Sequence, residues 1–305
     1  MNILDIGRMT DGQARDYLEK IRWPEGPVCP HCGAKDCTRL EGEKHRHGCI
    51  QCNVCREQFT VTVGSVMESS HIPLVKWVMA FHLICSSKKG MSALQLQREL
   101  QLGSYRSAWF MAHRIRHAMN GEPMQAMLKG DVEVDETYVG GKPRYKGQSK
   151  RGRGTKKKPV VALVERDGNV RVGPVENVTA ETLHAEIVTQ VASSATIITD
   201  QLSSYGGIGE KFQGGHETVN HSAKEYARKT DKRVVHTNTV ESFFALIKRG
   251  HYGVYHSMSK KHLHRYCSEF GFRWNHRRVS DEVRTVAAIA DSAGKRLLYE
   301  TPSEA

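Results

Sequence analysis

Asp131-Val132-Glu133-Val134-Asp135-Glu136-Thr137-Tyr138-Val139-Gly140-Gly141 alternates acidic and apolar residues strictly over its first five positions. A period of two is that of a β-strand, so Val132 and Val134 face one side while Asp131, Glu133 and Asp135 face the other. Exposed acids on an edge strand would give the same pattern without any chemistry. The downstream sequence extends the sheet. Pro159-Val160-Val161-Ala162-Leu163-Val164 reads as a second strand, Asp167-Gly168-Asn169 as a turn, and Val170-Arg171-Val172-Gly173 as a third strand of a meander. Ala180 to Ala192 fits a helix with Leu183, Ile187 and Val191 on one face. Thr196-Ile197-Ile198-Thr199 is a buried strand that ends at Asp200.

Three strands, a helix, a strand and later helices is the order of a ribonuclease-H-like α/β domain. In that order the first and fourth strands are neighbours, and Asp135 meets Asp200. Two close carboxylates repel, and one takes up a proton unless a cation intervenes. Acids at two strand ends, facing a third from a helix, can hold two divalent cations about 3.5–4 Å apart. Mg²⁺ (or Mn²⁺) suits such an oxygen donor set. The third segment is Asn238-Thr239-Val240-Glu241, followed by Ser242-Phe243-Phe244-Ala245-Leu246-Ile247-Lys248-Arg249. Val240, Phe243, Phe244 and Ile247 form an apolar helical stripe. At about 100° per residue, Glu241 and Lys248 lie within about 20° of each other beside that stripe. Glu241 is then a metal ligand and Lys248, with Arg249, a DNA contact. Asn238 is the rival ligand, through its amide oxygen. Asn at N-cap and Glu at N3 also make a plausible capping box, which explains both residues without catalysis.

Six of the eight cysteines fall between Cys29 and Cys55. Cys29-Pro30-His31-Cys32 and Cys52-Asn53-Val54-Cys55 have zinc-ribbon spacing, each a tight turn that aims two thiolates at one point. One structural Zn²⁺ is expected there, with four protein ligands and no open position. Cys37 and Cys49 are spare, and His31, His45 and His47 lie close enough to be alternative ligands. From Ile72 to Met119 the pattern is helical: Leu74, Trp77, Val78 and Phe81 recur at helical spacing, Ser92 caps a second helix, and Gly103-Ser104 separates it from a basic third. Helix, Gly-containing turn and basic helix resemble a helix-turn-helix, with Arg106, Arg114 and Arg116 as DNA contacts. An ordinary helical hairpin packed on the core is the alternative.

The 305 residues carry a formal net charge of +12 and a pI near 9.3. That excess favours a polyanion. The densest basic run, within a Gly-rich insertion at 140–158, holds Lys142, Arg144, Lys146, Lys150, Arg151, Arg153, Lys156, Lys157 and Lys158. A solvated disordered loop has the same composition, but its place after the Asp135 strand suits phosphate contact. No stretch reaches the ~18 consecutive apolar residues of a membrane helix. Met1-Asn2-Ile3-Leu4-Asp5 lacks the charged and apolar regions of a secretory signal. A cytoplasmic, nucleoid-associated protein without membrane contact is expected.

Glu133-Val134-Asp135-Glu136-Thr137-Tyr138-Val139-Gly140-Gly141, Thr199-Asp200, His236-Thr237-Asn238-Thr239-Val240-Glu241 and the run Lys248 to His256, joined by Lys261 to Tyr266 and Phe272 to Arg277, resemble the DDE transposases of bacterial insertion sequences. The match is to the insertion-sequence-1595 family, with an N-terminal zinc ribbon and an ISXO2-like catalytic domain. The resemblance implies metal-dependent cleavage at insertion-sequence ends and strand transfer into target DNA, without a covalent protein–DNA intermediate. Tyr138 and Tyr205, near the acids, then have no nucleophilic role. It also keeps Asn238 beside Glu241 as third catalytic residue. The expected partner is double-stranded DNA, terminal inverted repeats and target alike, bound by a homodimer or higher oligomer. The expected organisation is α+β and multidomain: ribbon in 1–66, helix-turn-helix-like segment in 67–125, catalytic domain in 126–280 and a C-terminal tail in 281–305. A zinc-ribbon DNA-binding regulator that has lost catalysis, and a host two-metal nuclease, are the competing functions.

Overall fold

The computed structural model describes residues 2–121, 126–140, 157–231 and 233–299. It divides into two compact units, Met1–Gly121 with Arg278–Ala305, and Glu122–Arg277. In the first unit, α1 (Ile3–Gly7) and α2 (Asp11–Arg22) both open on capping boxes, with Asn2 and Thr10 as the caps. The Asn2 and Thr10 oxygens accept the N–H groups of Asp5 and Gln13, whose side chains accept the cap N–H in return. Strands β1 (Cys37–Arg39), β2 (Ile50–Cys52) and β3 (Gln58–Phe59) form a small antiparallel sheet in that order. Phe59 packs edge-on to Trp23, ring centroids 5.7 Å apart.

Three helices follow: α3 (Leu74–Ser86), α4 (Ala93–Glu99) and α5 (Tyr105–Ala118). Ser92 and Ser104 cap α4 and α5, each Oγ accepting an N–H three residues on at 3.1 Å. The Gly103-Ser104 interruption is therefore the start signal of the next helix. Residues Asp281–Ala290, which the sequence reading leaves in a tail, form a helix of this same unit. Arg284 donates to the Cys85 carbonyl of α3 at 2.9 Å, and Thr285, Ala288 and Ile289 are buried.

The second unit is built on a five-stranded sheet of order β6-β5-β4-β7-β8: β4 (Asp131–Val139), β5 (Lys158–Glu165), β6 (Val170–Pro174), β7 (Thr196–Asp200) and β8 (His216–Val219). β4, β5 and β6 are an antiparallel meander, β7 runs parallel to β4, and β8 parallel to β7. Between β6 and β7 lies α6 (Ala180–Gln190). β9 (Arg228–Lys229) and β10 (Val234–Val235) form a separate short ribbon before α7 (Asn238–Gly250) and α8 (Leu263–Asn275).

Alternation along β4 and β5 splits the core between the two faces of the sheet. Val132, Val134, Val161 and Leu163 pack with Leu183 and Ile187 of α6. Val160, Ala162 and Val164 pack with Val240, Phe243, Phe244 and Ile247 of α7 and with Leu263 and Phe270 of α8. Burying each large apolar side chain contributes about 1.5–3 kcal/mol, which fixes α7 against the strands. A methyl group at Gly271 would meet Val172 Cγ1 at 3.2 Å, so glycine there allows α8 its close approach to β6. Glu269 and Arg273, both buried on α8, pair with each other, and Tyr255 donates to Glu269 Oε1 at 2.6 Å. Among the described residues no helix is long and apolar enough to cross a membrane.

Candidate active site and metal centre

The three like-facing acids of β4 have different fates. Asp131 accepts from Arg233 at 2.8 Å and from Arg166 at 3.3 Å. Glu133 has no exposed surface. Its Oε2 accepts the N–H groups of Thr239 and Val240 at 2.8 and 3.0 Å. Its Oε1 accepts the Thr239 hydroxyl at 2.9 Å and Arg166 Nε at 3.1 Å, and lies 3.1 Å from His236 Nδ1. Asp135 pairs with no basic side chain among the described residues. Its Oδ1 accepts the N–H of Glu136 at 2.8 Å. Burial, and after it the Glu136 charge, push its carboxyl up to about 7, with Asp200 and Glu241 adding to the shift.

Register brings Asp200 to that place. Glu133 is opposite Ile198 in the parallel β4–β7 pair, and the same offset carries Asp200 beside Asp135. Asp200 Oδ1 accepts the Leu202 N–H at 3.0 Å, which turns the chain as β7 ends. Glu241, half exposed on the first turn of α7, is held by a triangle of bonds that its local sequence does not reveal. Its Oε1 accepts the Thr237 hydroxyl at 3.0 Å and lies 3.3 Å from His221 Nε2, which is 3.0 Å from Thr237 Oγ1. The carboxylates of Asp200 and Glu241 are close enough to Asp135 to act on its charge. The oxygens of these three acids are not all within 4.8 Å of each other, a spacing met among the described residues by the four cysteines. Three carboxylates are oxygen donors, which fit a hard divalent ion in chemistry.

The capping-box reading of Asn238 and Glu241 is corrected. Asn238 is the first helical residue, Thr237 precedes it as N-cap without accepting a helix N–H on its side chain, and the N–H groups of Thr239 and Val240 are taken by Glu133 instead. A cap delivered from a strand 106 residues earlier in the chain leaves no local signature. Arg166 was equally invisible from sequence: its guanidinium also donates to the carbonyls of Val234 at 2.6 Å and His236 at 3.2 Å. Tyr205, buried, donates its hydroxyl to Glu136 Oε2 at 2.8 Å. Burial and then the Glu136 charge raise that phenol well above its ordinary range, so it stays protonated.

The cysteine centre is tighter. Cys29 and Cys55 sulfurs are 3.7 Å apart and those of Cys32 and Cys52 3.6 Å apart, with all four within 4.8 Å. Zn–S bonds of about 2.3 Å put tetrahedral sulfurs about 3.8 Å apart, so the set fits one zinc ion. Both knuckles close alike: Gly33 donates to the Cys29 carbonyl at 2.9 Å and Arg56 to the Cys52 carbonyl at 3.0 Å. Both closing residues are left-handed, Gly33 at φ 77° and Arg56 at φ 65°. The N–H of Cys55 and then of Val54 hold the Cys52 thiol down at about 6, favouring its thiolate. Cys37 and Cys49 stay outside the set, their thiols directed to the Ala34 carbonyl and Gln58 Oε1.

The basic residues separate into exposed and buried. Lys248 and Arg249 are exposed at the end of α7. Lys158 pairs with Glu176 at 2.6 Å, and Lys157 precedes it. Lys142, Arg144, Lys146, Lys150, Arg151, Arg153 and Lys156 lie outside the described residues. On α5, Arg106 is exposed, its guanidinium 4.1 Å over the Tyr299 ring. Arg114 and Arg116 are only 7 % and 2 % exposed, which corrects their assignment as DNA contacts. Apart from its first turn α5 is largely buried, so side chains that a basic composition places outside lie within the unit.

Residues 9–58 match the transposase zinc-ribbon domain and residues 127–275 the ISXO2-like transposase domain. A protein of Halobacterium salinarum, described as an uncharacterized protein in transposable element ISH50, is 30 % identical over 281 residues, covering 87 % of this chain and 91 % of its own. Two solved structures resemble the chain at 12 % identity: a Mos1 transposase paired-end complex with left transposon end, at TM-score 0.29 over 68 % of this chain and 75 % of that one, and a pre-cleavage Mos1 transpososome, at 0.25 over 95 % and 96 %. Likenesses that low do not establish a shared fold.

Proposed function

The chain belongs to the insertion-sequence-1595 family of transposases, with ISXO2-like and zinc-ribbon domains, and from that membership we propose that Asp135, Asp200 and Glu241 are its catalytic metal ligands. One observation carries the reading. Of three acids on one face of β4, Asp135 alone lacks a basic partner among the described residues, and Asp200 and Glu241 bear on its charge. We assign the unit a ribonuclease-H-like fold, supported by its strand order β6-β5-β4-β7-β8.

Bound by these acids, Mg²⁺ or Mn²⁺ would supply Lewis acidity to the attacking and leaving oxygens of an in-line displacement at phosphorus. Asp135 gives up its proton to become a ligand. Lys248 and Arg249 bind the DNA backbone, and the Gly-rich basic insertion adds affinity with little sequence choice. Asn238 remains the rival to Glu241, since an amide oxygen can also ligate. The ribbon holds its zinc structurally. Two ends have to be handled together, so the working form is at least a dimer, on DNA in the cytoplasm.

The test is strand cleavage on DNA carrying the gene's own flanks, with Mg²⁺ or Mn²⁺. Cuts at the flank boundaries are expected from wild type, and none from Asp135→Asn or Asp200→Asn. Comparison of Glu241→Gln with Asn238→Ala identifies the third ligand. Metal-independent cutting, or full activity in Asp200→Asn, would overturn the assignment. Binding without cutting by folded, zinc-loaded wild type would favour a DNA-binding regulator.

A further inference from the structure

We propose that Glu133 is a positioning residue that sets the first turn of α7, and with it the third metal ligand, against Asp135; this rests on the active-site reading above. Glu133 and Asp135 leave the same face of one strand, about 7 Å apart along it. The Glu133 carboxylate accepts the N–H groups of Thr239 and Val240. These belong to the group of helix-start donors that have no partner inside the helix. Glu241 directly follows this pair of residues and Asn238 directly precedes it. Whichever of the two serves as ligand, its backbone is clamped to the strand that carries Asp135.

An ordinary cap would come from the preceding residue. Here Thr237 is at that position, and its hydroxyl donates to Glu241 Oε1 at 3.0 Å instead. The cap role has passed to a side chain of the sheet, so it fixes a distance between two elements as well as ending a helix. Arg166 doubles the link. Its Nε donates to Glu133 at 3.1 Å, while Nη1 and Nη2 donate to the carbonyls of Val234 and His236 in the segment leading into α7. A carboxylate with no exposed surface requires such compensation, and a helix N-terminus plus a guanidinium provides it. Arg's planar fork reaches these separated acceptors from three nitrogens at once; a lysine offers its donors from a single nitrogen and cannot span them all.

The experiment measures Mn²⁺ binding to full-length, zinc-loaded protein by water-proton relaxation, with DNA affinity and cleavage measured in parallel. Glu133→Gln keeps the shape but loses the charge, and Arg166→Lys loosens the fork from the other side. Both are expected to bind flank DNA normally and to lose Mn²⁺ affinity at least tenfold, with half-maximal cleavage shifted to higher Mn²⁺ in proportion. Should Glu133→Gln fail to fold, Arg166→Lys carries the test. Wild-type Mn²⁺ affinity in the folded variants, even with lowered melting temperatures, would make Glu133 a stability cap and overturn the proposal. Asp135→Asn is the reference: if it loses Mn²⁺ while Glu133→Gln keeps it, only the positioning role falls. If Asp135→Asn itself binds Mn²⁺ normally, the active-site reading falls and this inference with it.

Discussion

Glu133 and Asp135 stand two residues apart on the same face of β4, and only Glu133 meets a guanidinium. One strand therefore holds a carboxylate tied to a helix start and one without a basic partner among the described residues in fixed relation. The difference comes from what packs above them, the start of α7 over Glu133 and the carboxylates of Asp200 and Glu241 near Asp135.

Asp135→Asn is expected to stabilise the protein in buffer lacking Mg²⁺ and Mn²⁺, and more so at higher pH. With its carboxyl at about 7 in the folded chain, above the ordinary 3.8, the folded state holds this proton more tightly than the unfolded state. The wild-type benefit is complete below about pH 4 and is lost as pH rises through about 7. Asparagine has no proton to lose. Urea unfolding should show little difference near pH 4.5 and a gain of about 1–3 kcal/mol for the variant at pH 8, short of the roughly 4 kcal/mol of a fully dry site.

The two zinc knuckles should respond in opposite senses to substitution of their closing residues. Gly33→Ala forces a Cβ into the left-handed region, at a cost of about 1–2 kcal/mol. Arg56→Gly relieves the same strain and should leave the ribbon equally stable or up to about 1 kcal/mol more so, after glycine's own entropic cost. Competition for zinc with a chromogenic chelator reads both. A stronger zinc hold in Gly33→Ala would contradict the knuckle geometry.

Salt dependence separates surface arginines from buried ones. Lys248→Ala and Arg249→Ala should weaken DNA binding alike on all sequences, and each lower the slope of log K against log salt by about 0.9 if it contacts one phosphate. Arg116→Met should leave that slope unchanged, because Arg116 is only 2 % exposed. Filter binding across a salt series makes the comparison.

The Glu269–Arg273 pair of α8 offers a test of packing away from the site. Arg273 is 7 % and Glu269 0 % exposed, so Glu269→Ala strands a buried guanidinium and should cost about 3–5 kcal/mol. The double variant Glu269→Leu with Arg273→Met should recover most of that in chemical denaturation. A single variant as stable as wild type would mean that the cation finds water there.

The fold of the second unit is largely legible in the sequence where its signals are periodic. Alternation at Val132 and Val134, the continuous apolar run at Val160–Val164 and the stripe Val240, Phe243, Phe244 and Ile247 all record burial on a repeating face. The four cysteines are legible because a turn of fixed length joins each pair. Contacts between distant segments are not. Nothing near Thr239 announces that Glu133 caps it, and nothing near Arg166 announces the carbonyls of Val234 and His236. Arg114 and Arg116 mislead for a related reason: charge predicts exposure, but neighbouring helices cover α5.

The helix Asp281–Ala290 packs on α3, although the whole second unit separates them in the chain. On the ribosome, the first unit must then wait with part of α3 uncovered until this helix has been made. A message cut short anywhere in the second unit yields a chain whose opening unit is left unfinished. Completion of the first unit thereby reports that the acids and the basic segment have already been translated.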